Sequence, residues 1–125
     1  PANDIKGKQQ LSGQLGEGTL IRIKDGTMIL SPRFRDYLLE LVDTFDIRSQ
    51  YYISPGGTDG GEIHKANKGV PTAVIGVCAR YIHSTDAVFD IRDYYAAREL
   101  LKQAVSHLTN ENILTLSSVL FFFPL

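Results

Sequence analysis

The sequence predicts an α/β fold, in which strands and helices alternate around a central sheet. Three observations lead to this prediction. β-Prone segments alternate with amphipathic segments, two long helices begin at clear capping residues, and one continuous apolar run has the composition of a buried strand. A length of 125 residues fits one compact domain.

The first predicted strand and the first helix follow a glycine-rich start. Residues 1–18 have loop composition, and in the segment GTLIRIKDGTMIL that follows, apolar and basic residues alternate with the period of a strand. An Asp-Gly pair marks a turn or bulge within it. Ser31 as N-cap and Pro32 at the first position predict a helix over about residues 32–46. The apolar stripe of this helix comprises Phe34, Tyr37, Leu38, Leu41, Val42 and Phe45.

The middle of the chain is predicted to hold a strand, a short helix and a second, buried strand. The segment SQYYISP indicates a short strand that stops at Pro55. Five glycines among the fourteen residues of GGTDGGEIHKANKG predict a loop, whose second part holds a short helix closed by Gly69. The continuous apolar run VPTAVIGVCA predicts a strand buried on both faces of a parallel sheet.

A second long helix is predicted to begin after Asp90. Asp90 is its N-cap, and Asp93 at the third position forms a partial capping box. Residues 109–125 form an apolar tail that does not continue the α/β pattern. The predicted buried face of the helix comprises Tyr94, Ala97, Leu101, Ala104, Val105 and Leu108.

Composition and charge exclude several classes of partner. With 13 basic and 14 acidic residues the net charge is −1, which provides no field to attract nucleic acid or an anionic membrane. The apolar tail is shorter than the roughly 20 residues that a membrane-spanning helix needs, and the polar first ten residues do not resemble a signal peptide. The single cysteine, Cys78, indicates a small core side chain in a reducing, cytoplasmic compartment.

Two loops carry most of the polar groups that chemistry requires. The segment SPGGTDGGEIH follows the second predicted strand and ARYIHSTD follows the third. Because ligands bind at the carboxyl ends of strands in open α/β sheets, we expect both loops to meet at one edge and offer imidazole and carboxylate to a divalent metal. Pattern alone leaves ordinary alternatives open: His83 as a hydrogen-bonded structural residue, Asp59 as a partner of loop amides, and the glycines as turn formers.

The segment from residue 54 to residue 101 resembles the carboxyl-terminal part of the catalytic domain of M42-family metallo-aminopeptidases. Three motifs carry the resemblance: Gly-Gly-Thr-Asp at 56–59, Gly-x-Pro at 69–71 and Arg-Tyr-Ile-His-Ser at 80–84. It extends over about residues 1–108 and leaves 109–125 as an atypical tail. The resemblance implies a three-layer, zinc-peptidase-like α/β domain with a central mixed sheet and flanking helices.

The resemblance also implies a function. Enzymes of this family remove amino-terminal residues from peptides at a site with two divalent metal ions, zinc or cobalt, and they form large homo-oligomers. His83 matches a metal ligand of the family. Lys65 is suited to pair with an acidic amino-terminal residue of the substrate, or else it is a solvated surface lysine. The residues expected near the substrate are Gly57, Thr58, Asp59, Lys65 and Arg80.

The sequence lacks other residues that the family pattern requires. The remaining metal ligands and the glutamate general base have no counterpart in it, and one histidine cannot hold two metal ions. We therefore expect this chain alone to be catalytically silent. A folded remnant that binds no metal is the alternative, whereas a carbohydrate-active hydrolase has little support because no defined carboxylate pair is present.

Overall fold

The computed structural model describes residues 13–117, and the predictions that concern 1–12 and 118–125 lie outside the described residues. Five strands and four helices are described in this part of the chain. In order they are β1 (Thr19–Lys24), α1 (Pro32–Thr44), β2 (Ser49–Ile53), α2 (Asp59–Lys65), β3 (Ile75–Gly76), β4 (Ala79–Arg80), β5 (Val88–Phe89), α3 (Ile91–Ser106) and α4 (Asn110–Ser117).

The predicted first strand, first helix and second strand form a β-α-β unit. β1 and β2 pair in parallel, with Thr19 opposite Ser49, and α1 makes the crossover between them. The hydroxyl of Ser31 accepts a hydrogen bond from the backbone N–H of Phe34 at 3.2 Å, as an N-cap should. These predictions are confirmed, except that α1 ends at Thr44 and leaves Phe45 partly exposed beyond it.

The main core lies where α1 and α3 pack on one face of the sheet. Ile21 of β1 is fully buried there, and Ile23 on the same side of the strand packs against the same cluster. Burying each such aliphatic side chain contributes roughly 2 kcal/mol. The buried members of the cluster are Ile21, Leu30, Leu38, Leu41, Ile47 and Leu100.

The apolar run VPTAVIGVCA is not the doubly buried parallel strand that the sequence predicts. Within it, Ile75 and Gly76 form β3 and Ala79 begins β4. Among the described residues, β3 runs antiparallel to β1 at the edge of a sheet ordered β2-β1-β3. An edge strand has a neighbour on one side only, so most of the run is half-buried; Cys78 alone is fully buried, as predicted. The mixed sheet that the resemblance implies is confirmed by this pairing.

Helix α3 begins after Asp90 as predicted, but its buried face is not the predicted one. Leu100 and Asp93 are fully buried, and Ala96 packs against the core, whereas most of the predicted face is exposed. The buried face lies about one residue away from the predicted face around the helix. The reason is that the carboxylate of Asp93 points inward, where it accepts two backbone hydrogen bonds. The exposed members of the predicted face are Tyr94, Leu101, Val105 and Leu108.

The shorter helices complete the described part of the chain. α2 ends at Lys65, four residues before the predicted stop at Gly69, which instead closes a turn with its N–H bonded to the carbonyl of Ala66 at 2.9 Å. Part of the predicted tail is helical, as α4. Within residues 13–117, every helix is too short or too polar to cross a membrane.

Candidate functional site

The two loops that the sequence predicts to meet lie at opposite ends of the sheet. The loop after β2 sits at the carboxyl end of β1, where the Thr58 hydroxyl contacts Asp25. β3 runs antiparallel to β1 and therefore carries the chain to the opposite end, where Gly76 lies opposite Leu20. The expectation of one shared edge is wrong because it assumed a parallel third strand.

Asp25 organises the carboxyl end of β1. Its side chain is fully buried and accepts hydrogen bonds from the Thr27 N–H at 2.7 Å, the Thr27 hydroxyl at 2.7 Å and the Met28 N–H at 2.9 Å. The Arg22 guanidinium and the Thr58 hydroxyl each approach its second oxygen at 3.2 Å. Burial by itself raises the pKa of Asp25, but these donors outweigh burial and lower the pKa from 3.8 to about 2. The carboxylate is therefore charged, and both of its oxygens are engaged in hydrogen bonds to neighbouring residues.

The Gly-Gly-Thr-Asp-Gly-Gly loop is held against the Asp25 turn. A Cβ atom on either Gly57 or Gly61 would overlap the side chain of Thr27, and the Thr58 hydroxyl donates to Asp25. The ordinary alternative for the glycines, turn and packing geometry, accounts for both of these positions. Gly57 and Thr58 are thus engaged in holding the loop, and their predicted contact with substrate stays a prediction.

A pair of glycine variants tests this close approach. Gly61→Ala is expected to lower the free energy of unfolding by about 2 kcal/mol, because the added methyl group overlaps Oγ1 and Cβ of Thr27. Gly56→Ala, in the loop that precedes α2, is the control, since its Cβ would meet no atom within 4 Å. Urea denaturation of both variants measures the difference, and equal stabilities would show that the loop does not press on Thr27.

Asp59 and Lys65 occupy the two ends of α2 and are exposed. Asp59 begins the helix, where a negative charge is favourable. Lys65 lies 3.4 Å from a carboxylate oxygen of Glu62 one turn earlier, so its ammonium group has a partner on its own helix. This pairing is what the surface-lysine alternative predicts.

His83 lies at the other end of the sheet, in the exposed turn that joins β4 to β5. Its φ angle of 65° is in the left-handed region, as is the 58° of Tyr81. A non-glycine residue in that region costs of order 1 kcal/mol, and such residues are frequent at binding sites. The Ser84 hydroxyl ties the turn to the carbonyls of Tyr81 and Asp86. Arg80 precedes the turn and is half-buried in β4.

The base of the His83 turn is anchored through the start of α3. Asp90 caps the helix by accepting from the Arg92 N–H at 2.9 Å, and the Arg92 guanidinium holds the pKa of Asp90 at about 2. One turn further, the two carboxylate oxygens of Asp93 accept from the N–H groups of Gly16 and Gly18, each at 2.8 Å. These bonds attach the start of α3, and with it the β4–β5 hairpin that precedes the helix, to the segment before β1. Asp93 therefore does not form the predicted capping box.

A dinuclear metal site does not fit within the described residues. Between residues 13 and 117, no three His, Cys, Asp or Glu side chains come close enough to hold a metal ion. His83 presents an accessible imidazole, but a zinc ion requires at least three protein ligands. The expectation that this chain supplies at most one ligand stays a prediction.

Two carboxylates that organise the site were missed in the sequence. Asp25 was interpreted only as half of an Asp-Gly turn, although Asp-x-Thr is a pattern in which the side chain bonds to backbone two residues ahead. Asp93 was assigned to a capping box, and no local signal indicates its long-range bonds to Gly16 and Gly18.

The chain belongs to the M42 peptidase family. The family model described as M42 glutamyl aminopeptidase matches residues 1–100, which is most of the chain. The motifs at both ends of the sheet, Gly56–Asp59 and Arg80–Ser84, lie inside the matched range.

Relatives and solved structures agree with this membership. The glutamyl aminopeptidase of Lactococcus lactis is 40% identical over 113 residues, which cover 90% of this chain and 31% of the relative. The TET aminopeptidase of the marine sediment archaeon Thaumarchaeota archaeon SCGC AB-539-E09 matches 93% of this chain and 33% of its own, with a TM-score of 0.88 and 27% identity. The aminopeptidase APDkam598 of the archaeon Desulfurococcus kamchatkensis matches 97% and 36%, with a TM-score of 0.85 and 31% identity. The chain therefore spans about a third of the length of the proteins it matches.

Proposed function

We propose that this chain contributes the carboxyl-terminal part of a metal-dependent aminopeptidase site, with His83 as one metal ligand. The observation that carries the proposal is the placement of His83. Its side chain is exposed in a turn held by the Ser84 hydroxyl, and its φ angle of 65° lies in the left-handed region. The family membership supplies the chemistry, since the motif Arg-Tyr-Ile-His-Ser at 80–84 lies within the residues that the family model matches.

Peptide substrate would bind at the His83 end of the sheet. Arg80 lies in the strand that leads to the turn, three residues before His83, and is the nearer of the two predicted basic substrate contacts along the chain. Lys65 lies in α2 at the opposite end and is paired with Glu62. The preference for an acidic amino-terminal residue, which was predicted from Lys65, stays a prediction.

The site requires residues that the described part of this chain does not hold. The other ligands of the two metal ions, zinc or cobalt, and the general base would come from the rest of the catalytic domain. That part is present in the relatives and lies outside the segment that matches this chain. Assembly into a homo-oligomer and a cytoplasmic location, which the family resemblance implies, stay predictions.

Turnover by a chimeric enzyme tests the proposal. The chain replaces the matched segment of the Lactococcus lactis glutamyl aminopeptidase, and release of the chromophore from glutamyl and leucyl anilides is measured with zinc or cobalt. We expect turnover that falls at least a hundredfold in His83→Ala, because a lost ligand empties or distorts the metal site. His107→Ala is the matched control, since His107 is also exposed but lies at the end of α3.

The alternative function is a folded remnant that binds no metal, favoured by the absence of a ligand cluster among residues 13–117. A remnant would leave the chimera inactive, or equally active with and without His83. Either result would rule out the proposed role of His83.

A further inference from the structure

The position of His83 depends on what holds the two ends of its hairpin. His83 lies in the turn between β4 and β5, and within the described part of the chain these strands pair with each other in a sheet separate from β2-β1-β3. A two-stranded hairpin is by itself marginally stable in water. The contacts that place it are therefore those of Cys78, which precedes β4, and of Asp90 and Asp93, which follow β5.

Both ends of the hairpin meet one segment, residues 13–18, which we call the support loop. At the β4 end, Cys78 is fully buried, and Leu15 of the support loop packs against the apolar cluster that contains it. A Cβ atom on Gly13 would lie only 3.0 Å from Sγ of Cys78. The backbone of the support loop therefore lies directly against the chain where it enters the hairpin.

The β5 end of the hairpin is held to the same loop by hydrogen bonds. The carboxylate of Asp93 is fully buried and accepts from the N–H groups of Gly16 and Gly18, each at 2.8 Å. The Arg92–Asp90 ion pair lies beside the loop as well, since a Cβ atom on Gly16 would come within 2.9 Å of the Arg92 guanidinium. The start of α3 is thus fixed to the segment that also supports the other end of the hairpin.

The support loop is in turn attached to the main sheet. The side-chain amide of Gln50 in β2 donates to the carbonyls of Gln14 and Gly18, at 2.9 and 3.0 Å. The guanidinium of Arg48, just before β2, donates to the carbonyl of Gly16 at 3.2 Å. These bonds attach the loop to β2, and the buried carboxylate of α3 attaches the hairpin to the loop.

We propose that Asp93 is a positioning residue for His83, which fixes the β4–β5 hairpin to the main sheet through the support loop. Asp93 lies in the first turn of α3, and the cap residue Asp90 alone separates that helix from β5. A displacement of the start of α3 therefore moves β5 and the His83 turn with it. Loss of a residue that orients a metal ligand typically costs roughly 10–100-fold in metal affinity or activity. The effect on metal binding rests on the proposed function, whereas the holding of the hairpin does not.

Backbone order parameters from nitrogen relaxation test the positioning in the chain alone. We expect the amides of Arg80, Val88 and Phe89 to have order parameters of about 0.85, and to fall below about 0.6 in Asp93→Asn. Asparagine keeps the shape of the side chain but turns an amide donor toward one glycine N–H. Gln50→Ala is the matched control, because it releases the support loop from β2 and leaves both bonds to Asp93 in place. Order parameters are measured on the folded protein, so a general loss of stability does not lower them.

A second variant disturbs the same contact from the side of the support loop. Gly16 has a φ angle of 81°, and a methyl group there would press on the Arg92 guanidinium. Gly16→Ala should therefore displace the loop from the start of α3 while Asp93 stays in place, and the same order parameters should fall. Hairpin amides that stay rigid in both Asp93→Asn and Gly16→Ala, or that loosen equally in Gln50→Ala, would overturn the proposal.

The zinc affinity of the chimera described above tests the consequence for the metal site. Asp93→Asn should weaken zinc binding roughly tenfold or more and lower kcat on the glutamyl anilide while KM stays unchanged, because Asp93 acts on a ligand and not on the substrate. Gln50→Ala should leave both quantities unchanged. Unchanged zinc affinity in Asp93→Asn would overturn the positioning of a metal ligand. An unmodified chimera that binds no zinc would reject the proposed function instead, and the order parameters of the chain alone would still decide whether Asp93 holds the hairpin.

Discussion

Asp93→Ala is expected to lower the free energy of unfolding of this chain by about 3 kcal/mol. The side chain is fully buried, and both of its oxygens accept backbone hydrogen bonds at 2.8 Å, from Gly16 and from Gly18. Alanine would leave two N–H groups without an acceptor, at roughly 1–3 kcal/mol each. The loss would also release the start of α3 from the amino end of β1.

Two further variants isolate the hydrogen bonds of Asp93. Asp93→Asn keeps one oxygen acceptor but turns an amide donor toward the other glycine N–H, so we expect a loss of about 2 kcal/mol. Asp43→Ala is the control, because Asp43 is exposed near the end of α1 and its removal should change stability by less than about 0.5 kcal/mol. Urea denaturation of all three measures these effects. If Asp93→Ala were as stable as Asp43→Ala, the two glycine bonds would not hold the fold together.

Asp25→Ala should destabilise the chain by a similar amount, about 3 kcal/mol, for a different reason. Its carboxylate holds the Thr27 turn, the Arg22 guanidinium and the Gly-Gly-Thr-Asp loop through hydrogen bonds of 2.7–3.2 Å. Hydrogen bonds to a charged acceptor are each worth roughly 1.5–3 kcal/mol, and part of the loss is recovered by water entering the loop. Asp36→Ala, which removes an exposed carboxylate that forms an ion pair with its neighbour Arg35, is the control.

Asp25 also gives the stability of the chain a predictable dependence on pH. Its pKa is about 2 in the folded protein and 3.8 ordinarily, so folding favours the charged form. The contribution is complete above pH 3.8 and is lost as the pH falls through about 2. The urea midpoint of the unmodified chain should therefore decrease between pH 4 and pH 2 more than that of Asp25→Asn, and the difference between them should narrow. A constant difference over this range would contradict the depressed pKa.

The β1-α1-β2 unit was predictable because its signals are local and agree with one another. Ser31 and Pro32 start the helix, the apolar stripe sets its buried face, and alternation defines β1. These signals depend on residues that are neighbours in the sequence. The mixed sheet, by contrast, was implied by the family resemblance, whereas the residue pattern predicted a parallel third strand.

The errors concern properties that depend on distant parts of the chain. The run containing β3 is apolar enough for a central strand, but its burial is decided by whether a further strand lies beside it. The face of α3 was misassigned because Ala96 and Leu100 compete with Tyr94 and Leu101 for the inward position. The inward carboxylate of Asp93 decides between them, through glycines more than seventy residues away.

In the candidate site too, local features were predictable and features that depend on distant parts of the chain were not. The two segments predicted as loops are only partly irregular, because Asp59 begins α2 and Ala79 and Arg80 form β4. Their predicted meeting at one edge depended on the direction of β3, which the pairing with β1 reveals. The role of His83 comes from its motif and family, since an exposed histidine in a turn has no chemical signature of its own. Because His83 and Asp59 lie at opposite ends of the sheet, the proposed site is restricted to the end that carries the β4–β5 hairpin.

Metal content measures the central claim most directly. The chimera with the Lactococcus lactis glutamyl aminopeptidase, its His83→Ala variant and its His107→Ala variant are loaded with zinc, dialysed and assayed for bound zinc per chain. If His83 is a ligand of a two-metal site, the unmodified chimera and His107→Ala should each retain two zinc ions, and His83→Ala should retain no more than one. Equal zinc content in all three proteins would contradict the account.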